Sequence, residues 1–261
     1  MTHRIQLHPI LPVDPRATVP FTWQDEKLEA RSGETIAAAL FAHGIHVFGH
    51  HPKDGSPQGI FCANGQCAQC LVMADGKPVK ACMTPVTPEM RVMPIDGLPI
   101  LPESTGPIAT RDIETVQTDV LILGGGPAGM SAAVELGHYG ITTLLVDDKS
   151  QLGGKLVLQT HRFFGSSEAV YAGTRGVKIA EILADKARSG AKVKVWLNST
   201  VLAVFSDRKV GVLRHDPETG LERYILVRPE VFIVATGARE RSLVFEGNTL
   251  PGLYGAGAFQ T

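Results

Sequence analysis

Four cysteines, which are all that the 261-residue chain contains, lie close together in the sequence: Cys62, Cys67, Cys70 and Cys82. Their spacing, C-x4-C-x2-C-x11-C, has the plant-type pattern of thiolate ligands to a 2Fe–2S cluster, with three ligands in a tight loop and one further along. Gly65 permits the loop to bend around inorganic sulfide. The Asp75-Gly76 pair predicts a β-hairpin over residues 71–82, which would return the fourth thiolate to the loop.

Three other uses of these cysteines compete with the cluster. The Cys67-x-x-Cys70 pair resembles a redox dithiol, but that motif would open a helix and leaves the other two cysteines unexplained. Structural zinc usually takes two close pairs of ligands, whereas the grouping here is three plus one. Structural disulfides belong to oxidising compartments, and residues 1–15 contain no apolar run suited to a signal peptide.

The composition excludes several classes of partner. Charged residues make up 20% of the chain and the net charge is -1, with no basic run, so nucleic acid and anionic membrane surfaces are poor partners. No stretch approaches the roughly 20 apolar residues of a membrane span, and no lipidation signal is visible. We therefore predict a cytoplasmic protein, and a peripheral membrane subunit stays open as an alternative.

The front of the chain predicts a small α+β domain. Residues 21–31 alternate around Asp25-Glu26 and predict a hairpin, followed by a helix of about ten residues that Ser32 or Thr35 would cap. A loop over residues 46–61 then leads to the cysteines. It contains His50 and His51, for which solvated loop histidines are favoured over Rieske-type ligands.

This order of hairpin, helix, cysteine loop and hairpin resembles the β-grasp ferredoxin over about residues 18–97. In particular, the stretches SGETIAAAL, CANGQCAQC and ACMTPV are similar to the front domain of the alpha subunits of sarcosine oxidase, opine oxidase, hydrogen cyanide synthase and dye-linked proline dehydrogenase. The resemblance implies a 2Fe–2S cluster held by all four cysteines. We predict this domain over residues 1–97, with an N-terminal arm, and a Pro- and Gly-rich linker over 98–117.

The second predicted domain, 118–261, opens on a dinucleotide-binding pattern. The apolar strand 118–123 leads into G-x-G-x-x-G and then into a helix. Gly124 would make the tight turn, Gly126 would let backbone amides approach a pyrophosphate, and Gly129 would let the helix pack on the strand. The predicted cofactor contacts in this motif are Gly124, Gly126, Pro127, Ala128 and Gly129.

Asp147 directly follows the next predicted strand, 141–146. An acid at this point would bind ribose hydroxyls and disfavour a 2′-phosphate. The alternative is a surface or helix-capping acid.

Three further features favour FAD over NAD by resemblance to flavoproteins with two dinucleotide domains. The first is the loop 151–156, in which Gly154 and Lys155 would lie beside the flavin. After a helix over 173–189 and a strand over 193–196, the alternating segments 200–207, 209–215 and 222–229 predict an inserted β-meander. A strand over 231–234 would then end at an A-T-G motif. By the same resemblance, the further cofactor contacts are Val201, Ala235, Thr236 and Gly237.

The fold class predicted from these features is an α+β β-grasp ferredoxin-like domain followed by an α/β Rossmann-like FAD-binding domain. We assign no catalytic residue; His161, Arg162 and Arg175 in a polar loop are candidates only for a substrate or partner surface. The family continues beyond the A-T-G strand with a second nucleotide domain and a Gly-Asp return, and the chain stops before either. It is therefore expected to be truncated or to be completed by a neighbouring subunit.

The functional prediction combines the two cofactors. FAD exchanges two electrons with a substrate, whereas a 2Fe–2S cluster carries one at a time. We predict the electron-transfer subunit of an amine or amino-acid dehydrogenase or oxidase, in a hetero-oligomer with a beta-type FAD-dependent subunit that oxidises the substrate. The alternatives are an NAD(P)H-dependent FAD/2Fe–2S reductase and a non-enzymatic fragment that binds zinc and a nucleotide.

Overall fold

The structure is a computed structural model that describes residues 3–11, 13, 15–101, 103, 106, 112–216 and 221–259. The chain divides into two units, Met1–Pro107 with Arg239–Thr261, and Ile108–Ala238. This grouping differs from the predicted bounds of 1–97, 98–117 and 118–261, because residues 239–261 group with the first unit; for example, Pro251 lies beside Gly59. The predicted bounds remain predictions.

Up to residue 101, the described part of the first unit contains seven strands and a helix: β1 (Thr18–Trp23), β2 (Glu26–Arg31), α1 (Ile36–Ala42), β3 (Gly49–His50), β4 (Pro57–Gln58), β5 (Leu71–Ala74), β6 (Lys77–Lys80) and β7 (Met90–Asp96). Strand β1 pairs antiparallel with β2 and parallel with β7, and β5 pairs antiparallel with β6 and β7. The sheet is therefore mixed.

The two hairpins of this unit differ in how well local sequence predicts their turns. Asp75 and Gly76 both adopt positive φ, 47° and 79°, which is the backbone of the predicted two-residue turn. The first hairpin turns at Gln24-Asp25 rather than at the predicted Asp25-Glu26, because Glu26 already pairs with Trp23. Gln24 takes a φ of 54° there, and its N–H donates to the Val92 carbonyl of a neighbouring strand.

Helix α1 provides the centre of the first core. Its Ala-rich face is buried with Ile36 and Leu40, and it packs with Phe21 and Phe48 from the sheet. Thr35, one of the two predicted caps, is the N-cap and accepts from the Ala38 N–H at 3.3 Å. This core holds β5 and β6, which lie between Cys70 and Cys82, as part of one sheet.

The described part of the second unit contains six strands and three helices: β8 (Glu114–Leu123), α2 (Pro127–His138), β9 (Thr143–Val146), α3 (Ser167–Val170), α4 (Gly176–Ser189), β10 (Val193–Trp196), β11 (Ser199–Val204), β12 (Val210–His215) and β13 (Glu222–Val234). The strand order is β10-β9-β8-β13-β12-β11. Strands β10, β9, β8 and β13 are parallel, and β11 and β12 continue the sheet antiparallel.

The two faces of this sheet bury different partners. Helices α2 and α4 cover one face, where Met130, Ile179 and Leu183 pack on strand residues such as Ile122 and Leu145. On the other face, Leu121, Leu123, Leu144 and Val146 pack against Val210, Val212 and Val227 of β12 and β13. The central strands are thus buried on both sides, which explains their continuous apolar sequence.

The segments 222–229 and 231–234, predicted as separate strands, form the single strand β13. Strand β12 pairs with β13 only as far as Val227, whereas the pairing with β8 continues to Val234. Pro229, which has no N–H to donate, therefore lies where β13 has lost one of its neighbours, and the strand continues past it. A short helix, α5 (Ala256–Phe259), follows near the end of the chain.

Candidate functional site

The four cysteines lie in the loop between β4 and β5 and just after β6. Cys70 is buried, with 2% exposure, and packs in the first core, while the other three thiols are partly buried. The Ala81 N–H donates to the Cys70 carbonyl oxygen at 2.9 Å and joins the hairpin to the loop. The fold thus returns Cys82 to the other three cysteines.

The thiols are arranged as two pairs. Cys62 and Cys67 hydrogen-bond through their side chains, and the Cys67 N–H also donates to the Cys62 Sγ at 3.3 Å. Cys70 and Cys82 form the second side-chain pair. Among the described residues, no three His, Cys, Asp or Glu side chains are placed so that they could hold one metal ion together. Because a 2Fe–2S cluster presents two irons that each take two protein ligands, two thiol pairs fit it.

Backbone amides of the loop are directed at the first pair. Burial favours the neutral thiol of Cys62, but N–H groups of Asn64, Cys67 and Gln66 hydrogen-bond its sulfur and together lower its pKa. Burial is the main cause of the raised pKa of the Cys67 thiol. The loop is therefore built to hold a thiolate at Cys62, the form that binds metal.

The second pair shares a hydrogen bond that separates the two pKa values. The bond from Cys82 lowers the pKa of Cys70 to about 6, and the same bond raises the pKa of Cys82. The Gly65 N–H hydrogen-bonds the Cys82 sulfur. Gly65, predicted as the bend in the loop, has a φ of 80°, and a Cβ there would lie 2.8 Å from the Met83 Cγ.

His50, at the end of β3, and His51, directly after it, each lie beside a carboxylate. His50 Nδ1 is 2.6 Å from Asp96 Oδ1, and His51 Nδ1 is 3.3 Å from Asp54 Oδ1. Both imidazole rings are partly exposed to solvent.

In the second unit, the glycines of the G-x-G-x-x-G motif mark close backbone contacts. Gly124 follows β8 with a φ of 103°, and a Cβ there would overlap the Ala235 carbonyl oxygen. A Cβ on Gly129 would overlap the Gly124 carbonyl oxygen. The loop between β8 and α2 can therefore lie against the end of β13 and against α2 only because Gly124 and Gly129 have no side chains.

The N-terminus of α2 has the space that an anion needs. Its N-cap is Gly126, with no capping side chain among the described residues, and Pro127 follows at the first helical position. A Cβ on Gly126 would come no closer than 3.9 Å to its nearest neighbour, the Gly154 Cα. The N–H groups at a helix start bind phosphate when no side chain caps them, so this cradle fits a pyrophosphate.

Asp147 directly follows β9 and lies beside this cradle. Its carboxylate accepts from the Gly125 N–H at 2.5 Å and from the Lys149 N–H at 2.8 Å. Burial is the main cause of its raised pKa. The Ser199 N–H donates to the Asp147 carbonyl oxygen at 2.9 Å and brings the start of β11 to the same place.

The other predicted cofactor residues lie on segments around the cradle. The Gly153 N–H donates to the Gly125 carbonyl oxygen at 2.8 Å and holds the 151–156 loop against the glycine loop. The two backbones are so close that a Cβ on Gly154 would lie 2.8 Å from the Gly126 Cα. Lys155 is exposed in a 3₁₀ turn, Gly154–Leu158.

On the opposite side of the loop, the Ala235 N–H donates to the Leu123 carbonyl oxygen at 2.7 Å. Thr236 and Gly237 follow it and are exposed. Val201, on β11, is half-buried and packs against the cluster of apolar residues under β12. Ala128, in the first turn of α2, is exposed.

Gly125 is a structural residue of this site that the sequence pattern did not single out. It is the variable position of the motif, yet it joins Asp147 through its N–H and the 151–156 loop through its carbonyl. A Cβ there would overlap Leu152 Cδ2. The run of three glycines, one more than the motif requires, was the available signal.

The polar loop with His161, Arg162 and Arg175 is held together by its own backbone. The Arg162 and Arg175 guanidinium groups donate to the Gly173 and Thr160 carbonyl oxygens, each at 2.6 Å. His161 stacks on Phe163 with ring centroids 5.3 Å apart. The two arginines therefore stabilise this loop.

Family models match both units. Residues 16–95 match a 2Fe-2S iron-sulfur cluster binding domain, and residues 118–259 match the pyridine nucleotide-disulphide oxidoreductase model, which covers more than half of the chain. The chain belongs to the pyridine nucleotide-disulphide oxidoreductase family. Together, the two matches indicate a 2Fe–2S cluster and FAD as cofactors of this family member.

Named relatives confirm the resemblance to alpha-type oxidase subunits. Sarcosine oxidase subunit alpha from Corynebacterium sp. is 31% identical over 97% of this chain, which covers 27% of that protein. Hydrogen cyanide synthase subunit HcnB from Pseudomonas protegens is 35% identical over 54% of this chain and 29% of its own length.

A solved structure also matches across both units. The crystal structure of L-proline dehydrogenase from P. horikoshii aligns with a TM-score of 0.75 and 27% identity, over 94% of this chain and 46% of that one. The chain thus spans less than half the length of each of these three relatives. None of the described helices of this family member is long and apolar enough to cross a membrane.

Proposed function

We propose that this chain is an iron–sulfur flavoprotein oxidoreductase subunit that passes electrons between FAD and a 2Fe–2S cluster. The observation that carries the proposal is the presence of two kinds of site in one chain. One unit has two thiol pairs with amides directed at sulfur, and the other has an uncapped glycine-loop helix with a neighbouring acid.

In the first unit, Cys62, Cys67, Cys70 and Cys82 would hold the cluster, one thiol pair to each iron. The loop amides and the hairpin would fix the position of the sulfur atoms. The Cys70 side chain, which is buried in the apolar core, would exclude water from one side of the cluster.

In the second unit, the fold proposed is a Rossmann-like FAD-binding domain with an inserted β-meander formed by β11, β12 and the first half of β13. The start of α2 at Gly126, Pro127 and Ala128 would bind the pyrophosphate, and Asp147 would accept hydrogen bonds from the ribose. FAD, when bound, exchanges two electrons with a substrate and one electron at a time with an iron–sulfur centre.

Four segments would surround the rest of FAD. Gly124 and Gly129 would shape the loop, and Ala235, Thr236 and Gly237 would pass close to the cofactor without obstructing it. Gly154 and Lys155 would lie beside the flavin, and Val201 would contact adenine through its backbone. The roles of Ala235 and of every glycine except Gly237 are supported by their close contacts around the glycine loop, whereas those of Val201 and the remaining residues are supported by the family resemblance.

The names of the relatives suggest the substrate class. They include subunits of sarcosine oxidase, opine oxidase and hydrogen cyanide synthase, and an L-proline dehydrogenase. We infer an amine or amino-acid dehydrogenase or oxidase complex in the cytoplasm, with a beta-type FAD-dependent subunit as partner. Substrate oxidation would take place in that partner, so we assign no acid–base residue in this chain.

Anaerobic purification followed by cofactor analysis tests the proposal. We expect iron and acid-labile sulfide in equal amounts, an iron–sulfur absorption band and bound flavin. A colourless chain that contains zinc would support the zinc- and nucleotide-binding alternative. Reduction of the flavin by NAD(P)H alone, at catalytic rates, would support the reductase alternative, and either result would overturn the proposal.

A further inference from the structure

Lys80 places a positive charge between the two segments that carry the cysteines. It is the last residue of β6 and precedes Cys82 by two positions. Its Nζ donates to the Gly65 carbonyl oxygen at 2.6 Å. Gly65 lies between Cys62 and Cys67, so the ammonium group joins the hairpin to the cysteine loop.

The peptide group that Lys80 contacts also touches sulfur. The Gly65 carbonyl belongs to the same peptide as the Gln66 N–H. This N–H donates to Asn64 Oδ1 at 3.3 Å, and it also hydrogen-bonds the Cys62 sulfur and contributes to lowering the pKa of that thiol. The contacts thus form a continuous series from ammonium to carbonyl, through one amide, to sulfur. A cation on the carbonyl polarises the amide and strengthens its N–H as a donor.

A cluster gains one negative charge when it is reduced. Hydrogen bonds to its sulfur ligands and nearby positive charge stabilise that reduced state and raise the reduction potential. Lys80 supplies both effects: a cation, and an amide that it polarises toward Cys62. Its side chain also fixes the loop relative to the strand that leads to Cys82.

We propose that Lys80 is a positioning residue that raises the reduction potential of a 2Fe–2S cluster at this site by polarising the Gly65–Gln66 peptide toward the Cys62 sulfur. This inference rests on the proposed function, because it requires that the four cysteines hold the cluster. Lys80 itself is not a ligand.

The test compares variants of the full chain after anaerobic cluster reconstitution. Lys80→Met removes the charge and the hydrogen bond, and Lys80→Arg retains both. Lys77→Met is the matched control, because Lys77 is an exposed lysine at the other end of the same strand, next to the Asp75-Gly76 turn. The readouts are the midpoint potential, followed by electron paramagnetic resonance, and the rate at which a chelator removes iron.

We expect Lys80→Met to lower the midpoint potential and to release iron about 10-fold faster, as loss of an outer-shell contact does at other metal sites. Lys80→Arg and Lys77→Met should remain close to the wild-type protein in both measurements. If Lys80→Met takes up no cluster, the potential is measured on Lys80→Gln instead, which removes the positive charge and keeps an amide donor; a potential equal to that of Lys77→Met would then reject the role of the charge.

Two kinds of result would overturn the inference, and they can be distinguished from each other. Equal potentials for Lys80→Met and Lys77→Met would reject the role of Lys80 while the cluster assignment stands. A lower melting temperature without a change in potential would count the same way, since it would show a purely structural contact. A wild-type chain that takes up no iron and sulfide would instead reject the proposed function, and this inference with it.

Discussion

The cysteine loop and the glycine cradle form their sites in opposite ways. The loop offers side-chain sulfur atoms from one continuous stretch, residues 62–82, so that the identity of each cysteine would supply the ligand. The cradle uses backbone from separate segments, 124–129, 147, 153–155 and 235–237, and the absence of side chains supplies the space. We therefore expect cofactor binding to be separable from folding in the cysteine loop and closely coupled to folding in the glycine cradle.

The two helix starts show the same contrast. Helix α1 is capped by the hydroxyl of Thr35, whereas α2 begins at Gly126, where no side chain of the described residues forms a cap. An unpaired helix start is costly unless water or a ligand takes the place of the cap. The difference is consistent with a structural role for α1 and with the ligand-binding role that we propose for α2.

The strongest test of this contrast removes one sulfur. We expect Cys82→Ala to abolish the 2Fe–2S cluster, because one iron would lose one of its two protein ligands. Flavin binding should persist, since its site draws on other segments. Iron and sulfide analysis together with the visible spectrum measures both in one sample. A full complement of iron and sulfide in the variant would contradict the assignment of Cys82.

A glycine change in the cradle should affect the fold itself. We expect Gly129→Ala to lower the free energy of unfolding by about 3 kcal/mol, because its Cβ would overlap the Gly124 carbonyl oxygen. Chemical denaturation of the flavin-free chain measures this. A loss smaller than about 0.5 kcal/mol would show that α2 moves away at little cost.

Gly126→Ala is the matched variant three residues earlier. Gly126 has a φ of -75°, and its Cβ would lie 3.9 Å from the nearest atom, so stability should change by less than about 0.5 kcal/mol. Its methyl group would occupy the space of the pyrophosphate, and we expect FAD affinity to fall at least about tenfold, or 1.4 kcal/mol. Unchanged affinity in a flavin titration would reject the cradle as the phosphate site.

The cap of α1 provides a smaller effect. We expect Thr35→Ala to cost about 1 kcal/mol, which corresponds to about fivefold faster hydrogen exchange of the α1 amides. Ser32→Ala is the control, because Ser32 was the other predicted cap and Thr35 is the residue that accepts from Ala38. Faster exchange in the Ser32 variant than in the Thr35 variant would contradict the assignment of the cap to Thr35.

The smallest expected effect is the pH dependence of Asp147. Burial raises its pKa, so the folded flavin-free chain keeps this proton at a pH where the unfolded chain has released it. The contribution of Asp147 to the free energy of unfolding is therefore fully present below its unfolded pKa and is lost as pH rises through the folded one.

The measurement for Asp147 is the difference in unfolding free energy between the wild-type chain and Asp147→Asn across this pH range. The stability of the wild type relative to the variant should fall as pH rises. A difference that stays flat or increases with pH would contradict the burial of an ionisable carboxylate beside Gly125.

The sequence alone determined the features that depend on neighbours along the chain. Local residue types are enough to predict four features. They are the four thiols, the turn at Asp75-Gly76, the strand Val193–Trp196 and the glycine motif between a strand and a helix. Turn chemistry, apolar runs and ligand identity act over a few residues, so they can be identified without the fold.

Tertiary structure decided what depends on distant segments. Four features join residues that only the fold brings together. They are the hydrogen bond from Gly125 to Asp147, the contact of Lys80 with the Gly65 carbonyl, the grouping of the thiols into pairs and the continuation of β13 through Pro229. The first hairpin turns one residue earlier in the sequence than predicted, because the Gln24 N–H donates to the carbonyl oxygen of Val92, which is distant in the sequence. Hydrogen bonds and packing act through space, so a local pattern can name the groups that take part but not their partners.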